Sequence, residues 1–333
     1  MTDPDVTVII PTHDHAAMLG YAIDSVLTQS LGDLRLVVIG DGVGDDTRDV
    51  MADACTRDAR VSFWDRPKSV RHAEEVRHEV IGESRSRVIA YHGDDDLLLP
   101  WHLAQMLEEL EGRDFVHPLP VVVEPDGTLT HLPTDLSRPE CRDWHRSEVP
   151  RNAVSLTGVV HTRSSYLRLP HGWRPAPQGH WTDLYMWKQY FALAGLRAAT
   201  APRATTIKLP ASTREDTAAV DPAAEVRRWW QRTRGVGFRD QWDADVAAAV
   251  RRSAVALELA VADGHDRMRR ATTDWQAERA ALTEQLEASR LLVGALAEER
   301  DEARRTLAVV TGSRSWRLAA PLRRLAAAAR RDP

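Results

Sequence analysis

The sequence predicts an α/β fold, a mostly parallel sheet with flanking helices, followed by an α-helical C-terminal region. Three observations carry this. Over the first 120 residues, short β-branched runs alternate with amphipathic stretches, the signature of strand–helix–strand crossovers. The runs are apolar almost throughout, as strands covered on both faces are. From 223 to 312 there is no proline, and apolar residues fall at helical spacing.

In chain order, Val6–Ile10 reads as a strand ended by Pro11, and Met18, Leu19, Ala22, Ile23, Val26 and Leu27 give one helical stripe. Leu34–Ile39 is a second strand, stopped by Gly40-Asp41-Gly42. A helix over Asp45–Thr56, a strand over Val61–Trp64 and a helix over Arg71–Glu83 follow, and Val88–Tyr91 is the fourth strand. It runs into Gly93-Asp94-Asp95-Asp96, and Pro100 suits the first turn of the next helix. A strand is expected over Ala153–His161 and a helix over Asp183–Leu193. These elements divide the chain into a first domain over 1–212, a helical or coiled-coil region over 213–312 and a basic amphipathic tail over 313–333.

Composition bounds the function. With 333 residues, 43% hydrophobic and 28% charged, the chain can bury a real core. A net charge of −5 argues against a general nucleic-acid binder. Cys55 and Cys141 lie far apart and form no zinc spacing. No leader-type N-terminus and no apolar run of about 18 residues occur, so a cytoplasmic protein, peripheral at most at the inner face of the cell membrane, is expected.

Ligands of such sheets bind at the carboxyl ends of the strands. The first strand ends in Pro11-Thr12-His13-Asp14 with no glycine before Gly20, which speaks against the glycine-rich turn of a dinucleotide site. The fourth ends in three adjacent carboxylates. Their mutual repulsion is relieved by a cation, and hard oxygen donors suit Mg²⁺ or Mn²⁺. A solvated acidic turn is the plain alternative.

Together, Val8-Ile9-Ile10-Pro11-Thr12, Ser25-Val26-Leu27-Thr28-Gln29-Ser30, Val37-Val38-Ile39-Gly40-Asp41-Gly42 and Gly93-Asp94-Asp95-Asp96-Leu97-Leu98-Leu99-Pro100 resemble the nucleotide-binding half of bacterial family 2 inverting glycosyltransferases. The resemblance implies the Rossmann-like GT-A fold and a metal-dependent, inverting transfer from a nucleotide-diphosphate sugar, UDP- or dTDP-linked, to an acceptor hydroxyl. Carried over residue by residue, it implies that Pro11 and Thr12 line the nucleobase pocket. Asp41 would accept a hydrogen bond from the base with Arg71 beside it, Asp94 would lie near the ribose, and Asp95 would ligate Mn²⁺ or Mg²⁺ on the diphosphate. Asp183, in His180-Trp181-Thr182-Asp183, would be the catalytic base that an inverting transfer needs; a carboxylate opening a helix also stabilises it by charge–dipole interaction. Two departures stand out: the family often reads Asp-Asp-Gly where this chain has Gly40-Asp41-Gly42, and Asp-x-Asp-Asp where it has Gly93-Asp94-Asp95-Asp96.

Weaker signals remain. His13 and His15 read as surface or pocket-wall histidines, and Trp173, Trp181 and Trp187 are either an acceptor platform or ordinary core. Glu225 stands where processive sugar polymerases carry Gln or Arg in a signature near Arg228-Trp229, so single addition is expected. A phosphatase reading of Gly40–Asp46 fails because Pro11–Asp14 lacks the nucleophilic Asp-x-Asp. The non-enzymatic alternative is a degenerate GT-A domain that binds nucleotide sugars or glycans on a helical scaffold.

Farther along, Leu282, Leu286, Ser289, Val293, Leu296, Arg300, Ala303, Leu307 and Val310 alternate steps of four and three, a seam that needs a partner. A homodimer, a helix packed back on the first domain, and an intramolecular hairpin with a helix near 247–262 all satisfy it. From Ser313 to Arg331 there are six arginines and no acid. This stretch resembles a Ser-x-Ser-Trp-Arg…Pro-Leu-Arg tail of bacterial glycosyltransferases and could meet an anionic membrane carrying a lipid-linked acceptor.

Overall fold

The computed structural model describes residues 4–147, 152–209 and 221–321. They fall into two compact units, 1–256 and 257–333.

In the first unit, β1 (Val6–Thr12), β2 (Leu34–Asp41), β3 (Val61–Arg66), β4 (Val88–Tyr91), β6 (Phe115–His117), β9 (Val160–Thr162) and β10 (Ala198–Thr200) form one sheet in the order β10-β6-β9-β4-β1-β2-β3. All neighbours are parallel except β9, which is antiparallel to both β4 and β6. Val6, Val8 and Ile10 point to one face, against α1 (Ala16–Leu27) and α2 (Asp45–Arg57). Ile9 faces the other, where Tyr91, Trp173 and Trp187 pack near α3 (Glu74–Glu83) and α7 (Thr182–Phe191). Burial on both faces explains why these strands lack polar alternation.

Two small ladders flank Lys208, a residue of the cleft described below. β5 (Leu97–Leu98) pairs antiparallel with β11 (Thr206–Ile207), and β7 (Val121–Val123) with β8 (Leu129–His131). A third cluster covers them, built from Trp229 of α8 (Pro222–Thr233) and Phe238, Trp242 and Val246 of α9 (Phe238–Gly312). The indole of Trp242 donates to the Ala204 carbonyl at 2.8 Å.

The helix expected from Arg71 starts at Glu74 instead, because Lys68–Ala73 wraps around Asp41 and Ala73 takes a left-handed φ of 59°. Of the strand expected over Ala153–His161, only Val160–Thr162 pairs; Gly158 turns with φ of 89°, and the preceding residues leave the sheet. The helix expected at Pro100 begins at His102 as α4 (His102–Leu110), after β5.

In the second unit α9 continues unbroken to Gly312, followed by α10 (Arg314–Leu318). This overturns the intramolecular hairpin: 247–262 and the Leu282–Val310 seam lie on one continuous helix and cannot fold against each other. No helix among the described residues is long and apolar enough to cross a membrane. Most of the proposed amphipathic tail, from Leu322 on, lies outside the described residues.

Candidate active site

The chain passes β1, β2, β3 in one direction and then returns to place β4 on the other side of β1. The carboxyl ends of β1 and β4 thus diverge, and a crevice opens there, where open α/β sheets bind ligands. Here it is a cleft of about 550 Å³. Pro11, Thr12, Asp41, Arg71, Asp94, Asp95 and Asp183 all line it, so every site residue expected from sequence reaches one cavity.

The strand-end wall is held by cations. Ile207 pairs with Leu97 across the β11–β5 ladder, which sets Lys208 opposite Asp96. Their side chains meet at 3.0 Å, and Asp96 also accepts from the Leu209 N–H at 2.8 Å and from the Thr157 hydroxyl. The neighbouring aspartates outweigh the burial of Lys208 and hold its ammonium well above its usual range. One carboxylate of the triplet is therefore an internal anchor. Asp94 accepts from His15 Nδ1 at 2.9 Å; that hydrogen bond, against an opposing effect of burial, pushes the imidazole up to about 9. His15 is a pocket-wall histidine, and a charged one.

Both departures from the family pattern have packing reasons. A Cβ at Gly93 would stand 2.9 Å from both Asp96 Oδ2 and Thr157 Oγ1, so a side chain there would break the anchor. At Gly40 the Phe63 ring fills the space, 2.9 Å from where a Cβ would be. Gly42, with φ of 68°, passes against the Lys68 backbone.

Asp41 is buried at the end of β2. It accepts from Lys68 Nζ at 2.6 Å, from the Ser69 N–H at 2.5 Å and from the Ser69 hydroxyl at 3.0 Å. Burial alone would raise its carboxyl, but these donors hold it below the ordinary range. Arg71 reaches across to the opposite wall, donating to the carbonyls of His180 at 3.1 Å and Pro177 at 3.4 Å. The Thr12 hydroxyl oxygen is buried and has no hydrogen-bond partner among the described residues, as expected of a group that meets a ligand.

The helix wall is the first turn of α7. Asp183 Oδ1 accepts from the Leu184 N–H at 2.7 Å and from Asn152 Nδ2 at 3.0 Å. Desolvation raises its carboxyl, against the pull of these donors and of the Lys208 and Arg77 charges. Arg77 is buried beneath, its guanidinium 4.0 Å over the Trp173 ring and bonded to the His72 carbonyl. The three tryptophans separate: Trp173 and Trp187 are core, while Trp181 is 51% exposed and lines the cleft. The sequence reading missed Lys208, Arg77, Thr157 and Asn152. Lys208 had a signal: only three lysines stand among 41 arginines, and two of them, Lys68 and Lys208, hold aspartates of this cleft.

A sheet with this order and a carboxylate turn at its switch point is a GT-A type domain. Residues 7–170, just under half of the chain, match Glycosyl transferase family 2. Over 128 residues it is 23% identical to the GalNAc(5)-diNAcBac-PP-undecaprenol beta-1,3-glucosyltransferase of Campylobacter jejuni, covering 38% of this chain and 41% of that one. Over 159 residues it is 26% identical to an uncharacterized glycosyltransferase of Nostoc sp., covering 46% and 45% respectively. The chain thus matches less than half the length of these relatives. Among solved structures, S. aureus TarS 1–349 in complex with UDP-GlcNAc shares the fold with a TM-score of 0.50 at 13% identity, over 74% of this chain and 71% of that one.

Proposed function

We propose that this cleft binds a nucleotide-diphosphate sugar, UDP- or dTDP-linked, and that the protein transfers the sugar to an acceptor hydroxyl with inversion, one sugar at a time. The observation that carries this is the opposition of the two walls: Asp183, its carboxyl raised, lines the same cleft as Asp94 and Asp95. A raised carboxylate is a better proton acceptor at neutral pH. Asp183 would take the hydroxyl proton as the acceptor oxygen attacks the anomeric carbon; the bond to the diphosphate breaks on the far side. Pro11 and Thr12 would hold the base, with Asp41 and Arg71 on its edge, and Asp94 would face the ribose. Trp181 offers a ring face to the incoming glycan.

The donor set fits a divalent cation only in a shared form. Among the described residues no three His, Cys, Asp or Glu side chains converge on one point, and Asp96 is committed to Lys208. Asp95, with Asp94 adjacent, would hold Mn²⁺ or Mg²⁺ together with the diphosphate of the donor, as such ions are commonly held at nucleotides. Its contribution there is to neutralise charge on the departing diphosphate.

A lipid-linked acceptor in envelope, polysaccharide or glycoconjugate synthesis is favoured by the Campylobacter jejuni relative, which acts on an undecaprenol-linked glycan. The C-terminal tail would then meet the membrane that carries the acceptor. A panel of nucleotide sugars, assayed for hydrolysis and transfer with and without Mn²⁺, tests the reading. Metal-stimulated turnover of one UDP- or dTDP-sugar is expected. Tight UDP binding without turnover of any donor would replace it with the binding-module alternative.

A further inference from the structure

We propose that α9 beyond residue 257 pairs with the same helix of a second copy as a parallel, in-register, two-stranded coiled coil. The seam is longer than the Leu282–Val310 stretch. Val261, Met268, Trp275, Leu282, Ser289, Leu296, Ala303 and Val310 recur every seven residues on one uninterrupted helix, and seven of these eight are apolar. Leu286, Val293, Arg300 and Leu307 alternate with the later ones, four residues after one and three before the next. From Leu282 on, both columns of a heptad repeat are therefore present and mostly apolar, while the earlier second-column positions His265, Thr272 and Arg279 are polar. At 1.5 Å per residue the column runs roughly 75 Å. Its large members are exposed: Val261 53%, Met268 68%, Trp275 59%, Leu296 55%. A lone amphipathic helix in water is only marginally stable.

The charges flanking the seam select the occupant and its direction. On one flank stand Ala262, Arg269, Gln276, Thr283, Arg290, Ala297 and Arg304, with three bases and no acid. On the other stand Gly264, Ala271, Glu278, Gln285, Leu292, Glu299 and Thr306, with two acids and no base. In a parallel pair each flank faces the opposite flank of the partner, so Glu299 of one copy meets Arg304 of the other, twice per dimer. In an antiparallel pair each flank faces its own kind, arginine against arginine and glutamate against glutamate. A second copy set parallel is the arrangement that this pattern rewards. Arg279 and Arg300 lie in the seam itself. In a two-stranded coil their long stems can carry the guanidinium out to water, which the more enclosed seam of a trimer resists.

The test uses the full chain. Sedimentation equilibrium should give twice the 37.3 kDa chain mass. With Cys55→Ala and Cys141→Ser removing the native thiols, Ser289→Cys and Ala303→Cys, made separately, should each cross-link the dimer under mild oxidation. Only a parallel, in-register pair brings both positions face to face with their own copies. Glu299→Arg should weaken dimerisation about tenfold, as two symmetric pairs turn from attraction to repulsion, and adding Arg304→Glu in the same chain should restore it. A monomer at micromolar concentration, a trimer, cross-linking at only one of the two positions, or no rescue by the double reversal would each overturn the proposal.

Discussion

The two walls of the cleft are both acidic and are built to opposite electrostatic ends. On the strand-end wall three aspartates are each met by a cation: Lys68 on Asp41, His15 on Asp94, Lys208 on Asp96. On the helix wall Asp183 is met by an amide and a backbone N–H, with the Arg77 and Lys208 charges acting without a direct ion pair. Cations close by keep a carboxylate ionised; desolvation with neutral donors makes it readier to take a proton. The contrast teaches that one wall is suited to holding charge on a ligand and the other to accepting a proton.

The comparison breaks most sharply at Asp183. Asp183→Asn should lower sugar transfer by about 10²–10⁴-fold and leave UDP affinity, measured by calorimetry, unchanged. In the unsubstituted protein, transfer should fall on the acid side with a midpoint above the ordinary carboxylate range, because Asp183 must be deprotonated and its carboxyl is raised. Unchanged turnover in the variant would remove the distinction between the walls. Asp95→Ala should then abolish the stimulation by Mn²⁺ while nucleoside binding persists, a loss on the order of 10²-fold in turnover; equal stimulation in the variant would move the cation elsewhere.

Next in size is the anchor. Lys208→Met leaves Asp96 buried without its cation and should cost about 3 kcal/mol in denaturant unfolding, with Lys208→Met/Asp96→Leu recovering part of it. A smaller effect is expected at His15. Its folded value of about 9 lies above the ordinary 6.5, so the stability it gains from Asp94 is complete below pH 6.5 and is lost as pH rises through 9. The melting temperature of His15→Gln should therefore approach that of the unsubstituted protein between pH 7 and 10. The smallest change, a few-fold rise in acceptor KM with kcat retained, is expected for Trp181→Ala.

Much of this was legible before the fold was known. Apolar runs such as Val6–Ile10 and Leu34–Ile39 announce buried strands because nothing else tolerates them in water, and the carboxylates that follow them mark the ligand end. The strand expected over Ala153–His161 was not, because Gly158 and the need to bring Thr157 to Asp96 pull those residues off the sheet. The hairpin expected of the C-terminal region failed for a comparable reason. Periodicity shows that Leu282–Val310 has a sticky face, but only the unbroken backbone of α9 shows that 247–262 cannot be what covers it.

By itself, then, the sequence determined the α/β order, the resemblance to a glycosyltransferase family and the seven residues that gather at the cleft, since these follow from local periodicity and from short contiguous motifs. Tertiary structure decided what those residues have become. Lys208 reaches Asp96 across 112 positions of chain, His15 reaches Asp94 across 79, and Asn152 reaches Asp183 across 31. Whether a carboxylate ends up pinned as an anion or poised for a proton depends on such distant partners and on how much water they exclude, and neither is written in any local stretch of the chain.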